Sequence, residues 1–140
     1  MMMLRTKERG AVTTEFAVIA AVIMASFLML MLYAGRVAQA ENDVRSAAHE
    51  AARAATLVGT PDQAQSTARR TALANLTESG MACANGTNIT VDTSSWGPGG
   101  WVTVTVTCHA SFADVASLAV PATQTFTASA SEVIDVHRGN

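Results

Sequence analysis

The chain has 140 residues, of which 49% are hydrophobic, 14% charged and 5% aromatic, and its formal net charge is −2. An ordinary soluble domain is about 25% charged, so this composition indicates a chain that is partly withdrawn from water. The length allows about one domain, two at most. A slightly acidic chain with one lysine lacks the basic face that nucleic-acid binding requires, which excludes this class of partner.

The most apolar segment lies close to the N-terminus. Residues 16–34 read FAVIAAVIMASFLMLMLYA and carry no acidic or basic side chain. A helix of this length spans about 30 Å, the thickness of the hydrocarbon core of a bilayer. The apolar part of a removable signal peptide is usually only about 7–15 residues long. We therefore predict a transmembrane helix, assigned to residues 11–35.

The segment before this helix, residues 1–10, is basic. Arg5, Lys7 and Arg9 outnumber Glu8, and basic flanks stay on the cytoplasmic side of a membrane. The expected topology is a single-pass protein of the cell membrane. Its N-terminus lies in the cytoplasm and the chain after Arg36 lies outside it.

Glu15 stands at the border of the apolar run, where a carboxylate is costly and usually functional. It is the fifth residue after Gly10, and Phe16 follows it. The segment RGAVTTEF (residues 9–16) resembles the type IV prepilin signal, in which a short basic leader ends in Gly and a peptidase cuts after it. The resemblance implies that the chain is cut between Gly10 and Ala11. It also implies that Glu15 and Phe16 act in subunit assembly.

The chemistry of the cut fits this pattern. Cleavage after Gly10 frees an α-amine on Ala11, which is a cation below a pKa of about 7.7–8.0. Glu15 of the same chain or of a neighbour would neutralise it and lower the cost of holding both groups in apolar surroundings. Because the first mature residue is Ala rather than an aromatic residue, methylation of the new amine stays open. A rival processing site is the A-x-A triplet that ends at Ala40, which would release a secreted domain.

Helical spacing continues beyond the apolar run. Small apolar residues recur every three to four positions, which predicts one helix over residues 12–58, with a stalk at residues 36–59 and Gly59 as its C-cap. The stretch AAHEAARAATLVG (residues 47–59) resembles the small-residue helix that follows the membrane span in TadE-like proteins. These are the pseudopilins or minor pilins of Tad (Flp) pilus systems. They are similar in plan: a prepilin-type N-terminus, one long helix and a small α+β domain.

This resemblance implies a role in pilus assembly together with several partners. They are a prepilin peptidase, which is a membrane-bound aspartyl enzyme, other pilin or pseudopilin subunits, and a secretion machine driven by an ATPase. Within such a system the apolar helix first anchors the subunit in the membrane. It then packs against other pilin helices.

Residues 60–140 predict an extracytoplasmic α+β domain. Thr60 and Pro61 are typical of the start of a helix, and Gly80 is typical of its end. Strands are expected at residues 88–91, 101–108 and 123–133, with a short turn or helix at residues 112–118. Together they predict a three-stranded antiparallel meander on the alanine-rich helix. Trp96 and Trp101 flank a glycine-rich turn and either pack over the sheet edge, the favoured interpretation, or form an adhesive tip.

Two cysteines, Cys83 and Cys108, would lie outside the membrane, where disulfides persist. A bridge between them is predicted to contribute about 3 kcal/mol. Neither cysteine has a spacing typical of metal binding or redox catalysis, and His49 has no Cys or second His at ligand spacing. We find no catalytic motif. The expectation is therefore a non-enzyme without metal, cofactor or small-molecule substrate.

Three hypotheses follow. The leading one is a TadE-like pseudopilin or minor pilin processed after Gly10. The second is a single-pass, membrane-anchored binding or adhesion domain without a pilus role. The third is a secreted domain that begins at Glu41.

Overall fold

The computed structural model describes residues 8–112 and 122–137, with side chains from residue 13 onward. The predictions for residues 1–7, and for the turn or helix at 112–118 beyond Phe112, lie outside the described residues. Five elements follow one another, and the α+β prediction is confirmed. They are the helices α1 (Glu8–Thr56) and α2 (Pro61–Glu78) and the strands β1 (Cys83–Ser95), β2 (Trp101–Ser111) and β3 (Thr123–Val133).

Helix α1 has 49 residues and ends at Thr56, two residues before the predicted end. The predicted cap at Gly59 is wrong, because its φ does not lie in the left-handed region. The last turn is closed differently. The Leu57 amide donates to the Ala54 carbonyl at 3.2 Å, and Thr56 Oγ1 donates to the Arg53 carbonyl at 2.8 Å. A tightened turn and a hydroxyl thus satisfy part of the helix end that a glycine cap would otherwise satisfy.

Helix α2 begins as its sequence predicts. The backbone of Thr60 is extended, and its hydroxyl accepts a hydrogen bond from the Gln63 amide at 3.3 Å. Pro61 takes the first helical position, where its missing N–H leaves no donor unpaired. The side chain of Thr60 therefore fixes where the chain turns from α1 into α2.

Helix α2 ends with a Schellman motif. Gly80 has a φ of +74°, and its amide donates to the Thr77 carbonyl at 3.1 Å. The Met81 amide reaches back to the Leu76 carbonyl at 3.1 Å. The left-handed φ at Gly80 is the reason that a glycine closes this helix.

The three strands form one antiparallel meander in the order β1-β2-β3, as predicted. Strands β2 and β3 pair without interruption, from Trp101 opposite Val133 to Ser111 opposite Thr123. Strand β1 is longer than the predicted 88–91 and has irregular register near both ends. Turn-forming residues such as Asn85 and Gly86 interrupt the alternation of apolar and polar residues, so alternation alone does not predict the full length of β1.

The turn between β1 and β2 is tied to the end of β3. The Gly100 amide donates to the Gly97 carbonyl at 2.9 Å, and Gly99 donates to the Ile134 carbonyl at 3.0 Å. The Ile134 amide in turn donates to the Gly100 carbonyl at 2.8 Å. Just before this turn, Asp92 Oδ1 accepts from the Ser94 amide at 2.9 Å, and this hydrogen bond lowers the pKa of the Asp92 carboxyl.

The sheet has one apolar face and one hydroxyl face. The alternating side chains of β2 that face the core are fully buried: Val102, Val104, Val106 and Cys108. On the opposite face, threonines of β2 meet hydroxyls of β3 across the ladder, and we name these pairs the hydroxyl ladder. The pairs are Thr103–Ser131 at 2.7 Å, Thr105–Ser129 at 2.9 Å and Thr107–Thr127 at 3.1 Å.

The chain divides into two compact units, Met1–Arg36 and Val37–Asn140. In the second unit, both helices and the sheet share one core, which confirms that the alanine-rich stripe packs with the sheet. No fully buried residue among those described is bulkier than valine. The helical members of this core are Val44, Ala47, Ala48, Ala51, Ala52 and Ala55 of α1, and Ala64, Ala68, Ala72 and Leu76 of α2.

Cys83 and Cys108 form a disulfide, as the sequence analysis proposed. Their Cα atoms are 5.3 Å apart and their sequence separation is 25 residues. Cys108 is fully buried, and its Sγ lies 3.4 Å from Sδ of Met81. The bridge thus joins the start of β1 to β2 beside the end of α2.

Replacement of a buried alanine by leucine tests the close packing of α2. We expect Ala72→Leu to lower the free energy of unfolding by about 1–3 kcal/mol, because the added methyl groups have no space. Ala74→Leu, at an exposed position of the same helix, should change it by less than about 0.5 kcal/mol. Urea unfolding followed by circular dichroism measures both. Equal effects of the two substitutions would contradict the packing described.

The contribution of the disulfide is tested with Cys83→Ala/Cys108→Ala. Loss of the cross-link should lower the free energy of unfolding by about 3 kcal/mol, since the unfolded chain gains freedom over a loop of this length. The control is reductant, which should destabilise the native chain and leave the double variant unaffected. A native chain equally stable in oxidant and reductant would refute this expectation.

Candidate functional site

The N-terminal part of α1 carries a long apolar surface. From residue 13 to residue 36 every side chain is exposed except the half-buried Ala20 and Tyr33. Phe16, for example, is 73% exposed. In the described part of the chain, one helix is long and apolar enough to cross a membrane, within Thr13–Thr56 near the N-terminus. An apolar surface of this size is normally covered by lipid or by partner helices.

The serine in this apolar segment is satisfied within its own helix. Ser26 Oγ donates to the Val22 carbonyl at 2.8 Å, one turn earlier. An unpaired hydroxyl in hydrocarbon would cost several kcal/mol, whereas a hydroxyl bonded to the preceding turn avoids this cost. The single aliphatic hydroxyl of residues 16–34 is therefore compatible with apolar surroundings.

The predicted processing site and Glu15 lie on one stretch of helix. The backbones of Gly10 and Ala11 belong to α1, and Glu15 follows Ala11 by four residues. Residues at this spacing share a helix face, and helical side chains lean towards the N-terminus. The Glu15 side chain is exposed and has no hydrogen bond or ion pair within residues 13–112 and 122–137. Glu15 and Ala11 therefore lie on the same face of α1.

The two predicted cleavage positions differ in their surroundings. A peptidase binds its substrate extended, so either site must unwind before it is cut. Gly10 is the weakest kind of helix former other than proline. Ala40 lies in the interior of the same helix and is only 6% exposed, within the second compact unit. Cleavage after Ala40 would therefore disrupt packed structure, which argues against the secreted alternative.

His49, which has no Cys or second His at ligand spacing in the sequence, is an exposed residue of α1. The structure places its Nδ1 4.0 Å from Oε1 of Glu132 on β3, and both side chains are partly exposed. An exposed pair at this distance contributes little to stability. Among the described residues, no group of three or more His, Cys, Asp or Glu side chains is arranged to hold a metal ion.

The two tryptophans have different surroundings. Trp96 is half-buried and packs against the core, as favoured from the sequence. Trp101 is 53% exposed and stands opposite Val133, which is 69% exposed. Of the two tryptophans, Trp101 is therefore the more exposed to solvent.

Comparison with known families identifies the segment built around these features. Residues 10–53 match the family model described as TadE-like protein. Over this segment, which is less than half of the chain, the protein is similar to the TadE-like family. The match begins at Gly10 and includes Glu15, the apolar helix and the alanine stripe. Neither the curated proteins nor the solved structures gave a match to this chain.

The TadE-like segment implies a minor-pilin-like role associated with a Tad pilus. Proteins of this family are structural components of a pilus rather than enzymes. The family also implies membrane association and pilin partners. The exposed apolar helix fits a membrane-anchored protein.

Proposed function

We propose that the protein is a TadE-like pseudopilin or minor pilin that is cut between Gly10 and Ala11 and takes part in assembly of a Tad pilus. The observation that carries the proposal is the position of Glu15. It lies one helical turn after the predicted new N-terminus, at the head of an exposed apolar helix.

Processing creates the charge that Glu15 is placed to meet. After the cut, Ala11 carries an ammonium group at the start of a helix whose first amides lack partners. A carboxylate one turn later stabilises both the ammonium group and the positive end of the helix dipole. In hydrocarbon the paired groups cost far less than either charge alone.

Assembly uses the same surface that anchors the subunit. Before assembly, lipid covers the exposed side chains of residues 13–36. During assembly, helices of other pilin subunits replace the lipid. Within that bundle, Glu15 pairs with the amine of its own chain or with that of a neighbouring subunit. Phe16, next to Glu15 and 73% exposed, supplies apolar contact at this point.

The proposed topology follows from charge and from the disulfide. The basic residues before Gly10 stay in the cytoplasm, so the unit Val37–Asn140 lies outside it. A disulfide between Cys83 and Cys108 persists in such an oxidising compartment. The cysteine pair therefore supports the same orientation as the basic leader.

Processing is tested by mass spectrometry of the full chain expressed with the prepilin peptidase of its own system. The native chain should lose residues 1–10. Gly10→Val should keep them, because a β-branched residue next to the cut obstructs close approach of the peptidase. Gly35→Val is the matched control, since a Cβ at Gly35 meets nothing within 4 Å.

The control should be processed like the native chain. A mature chain that starts at Met1 or at Glu41, or loss of cleavage in both valine variants, would refute processing after Gly10. A start at Glu41 together with a soluble product would favour the secreted alternative instead.

The role of Glu15 is tested by Glu15→Gln, which keeps the shape of the side chain and removes its charge. We expect normal cleavage and membrane fractionation but at least a tenfold lower yield of sheared pili, because the new amine loses its counter-charge. The control is Glu50→Gln, an exposed position of the same helix. Pilus yields that do not differ between the two variants would contradict the proposed pairing.

A second candidate function is an anchored binding domain without a pilus role. The exposed pair of Trp101 and Val133 favours it, because an exposed aromatic side chain is typical of a binding surface. This candidate predicts a chain that keeps residues 1–10 and remains in the membrane. The mass measurement described above therefore separates the two functions.

A further inference from the structure

Strand β1 carries an Asn85-Gly86 dipeptide inside a bulge. The ladder between β1 and β2 is regular from Thr87 to Asp92, but its register shifts between Cys83 and Thr87. Residues 84–86 therefore have no partner of their own in β2. Gly86 has a φ of +81°, which glycine adopts without strain. The bulge thus sets this dipeptide apart from the regular pairing of the sheet.

The surroundings of the dipeptide are open. Asn85 and Gly86 are both exposed to solvent. Within residues 13–112 and 122–137, the side-chain amide of Asn85 has no hydrogen bond or ion pair. A Cβ added at Gly86 would meet nothing within 4 Å apart from its chain neighbours. No other part of the described chain therefore hinders approach of the Asn85 side chain to the backbone of Gly86.

This arrangement leaves open a reaction between the two residues. The backbone nitrogen of Gly86, once a base of the solvent has removed its proton, attacks Cγ of Asn85. A bond forms between this nitrogen and Cγ, and the bond from Cγ to Nδ2 breaks. Nδ2 takes up a proton and leaves as ammonia. The product is a cyclic succinimide, and its formation needs no oxidant or reductant.

Water then opens the succinimide in one of two directions. Attack of water at Cγ breaks the new bond to nitrogen and leaves an aspartate with the normal backbone. Attack at the backbone carbonyl breaks the original peptide bond and leaves an isoaspartate, whose backbone runs through the side chain. Either product replaces a neutral amide with a carboxylate. The formal net charge of −2 therefore becomes one unit more negative.

We propose that Asn85 is a site of self-modification in the folded protein, through a succinimide formed with Gly86. Glycine favours the reaction because it has no Cβ to obstruct the attacking nitrogen. The bulge removes a second obstacle, the paired ladder that holds the backbone of a regular antiparallel strand. The disulfide between Cys83 and Cys108 joins the two strands beside the bulge, and residues 84–86 bury no side chain. We therefore expect the fold to survive the change.

Three other asparagines of the described residues provide the contrast. Asn42 and Asn75 lie inside helices, where the next backbone amide donates to the carbonyl one turn earlier. Asn88 is exposed, as Asn85 is, but it lies in the regularly paired part of β1 and precedes Ile89, which is 7% exposed. A β-branched side chain next to the nitrogen obstructs its attack. We therefore expect reaction at Asn85 and not at Asn88.

The test is incubation of the full chain in detergent, in mildly alkaline water labelled with heavy oxygen, followed by mass spectrometry of its peptides. The same measurement on the chain unfolded in guanidinium chloride gives the rate without the fold. Folded Asn85 should react within about tenfold of its rate in the unfolded chain and at least tenfold faster than folded Asn88. Both aspartate and isoaspartate should carry the heavy oxygen, because a succinimide opens in both directions.

Substitution of Asn85 completes the test. Asn85→Gln should lower the yield of labelled product at this position at least tenfold, because the longer side chain must close a larger and less favourable ring. Asn88→Gln is the matched control and should leave the reaction at Asn85 unchanged. A folded chain in which Asn85 stays intact would overturn the proposal, as would aspartate without isoaspartate or equal reaction at Asn85 and Asn88. The site lies within the unit Val37–Asn140 and is measured without assembly, so failure here leaves processing after Gly10 untouched.

Discussion

Close approach of small side chains holds the unit Val37–Asn140 together. The facing residues of α1 and α2 are mostly alanine, and the sheet offers valine and a cystine to them. Each alanine removes little apolar surface from water, so the hydrophobic gain per residue is small. The stability of such a core depends on dense contact rather than on bulk. A disulfide is a natural complement to so thin a core.

The large apolar side chains of the protein are used elsewhere. Leucine, methionine, isoleucine and phenylalanine concentrate in the first half of α1, where they are exposed. The same helix thus has two kinds of surface, one of bulky residues for lipid or partner helices and one of alanines for the sheet. This division explains why a chain with so few charges still has a small folded unit that presents polar residues to water.

Much of the fold was predictable because local patterns decide it. The Thr60 cap, the glycine at position 80 and the alternation from Trp101 to Cys108 each have a direct physical cause and appear where expected. Other features depend on contacts distant in sequence. The ends of β1 were missed because a bulge places Asn85 and Gly86, typical turn residues, inside a strand.

The candidate functional residues also differ in whether local sequence patterns alone can predict them. Glu15 stands out from the sequence because its meaning depends on spacing from Gly10 within one segment. The pair of His49 and Glu132 does not, because its two residues are far apart along the chain.

The hydroxyl ladder has a consequence for strand alignment. Its members are nearly interchangeable, so moving β3 by two residues would again place a hydroxyl opposite most threonines of β2. Side chains on that face therefore discriminate poorly between alternative alignments. The alignment of β3 must therefore be set by other contacts. Ile134 is hydrogen-bonded to Gly99 and Gly100, and Phe126 stands opposite Cys108. The glycine-rich turn therefore fixes the alignment of β3 in addition to reversing the chain.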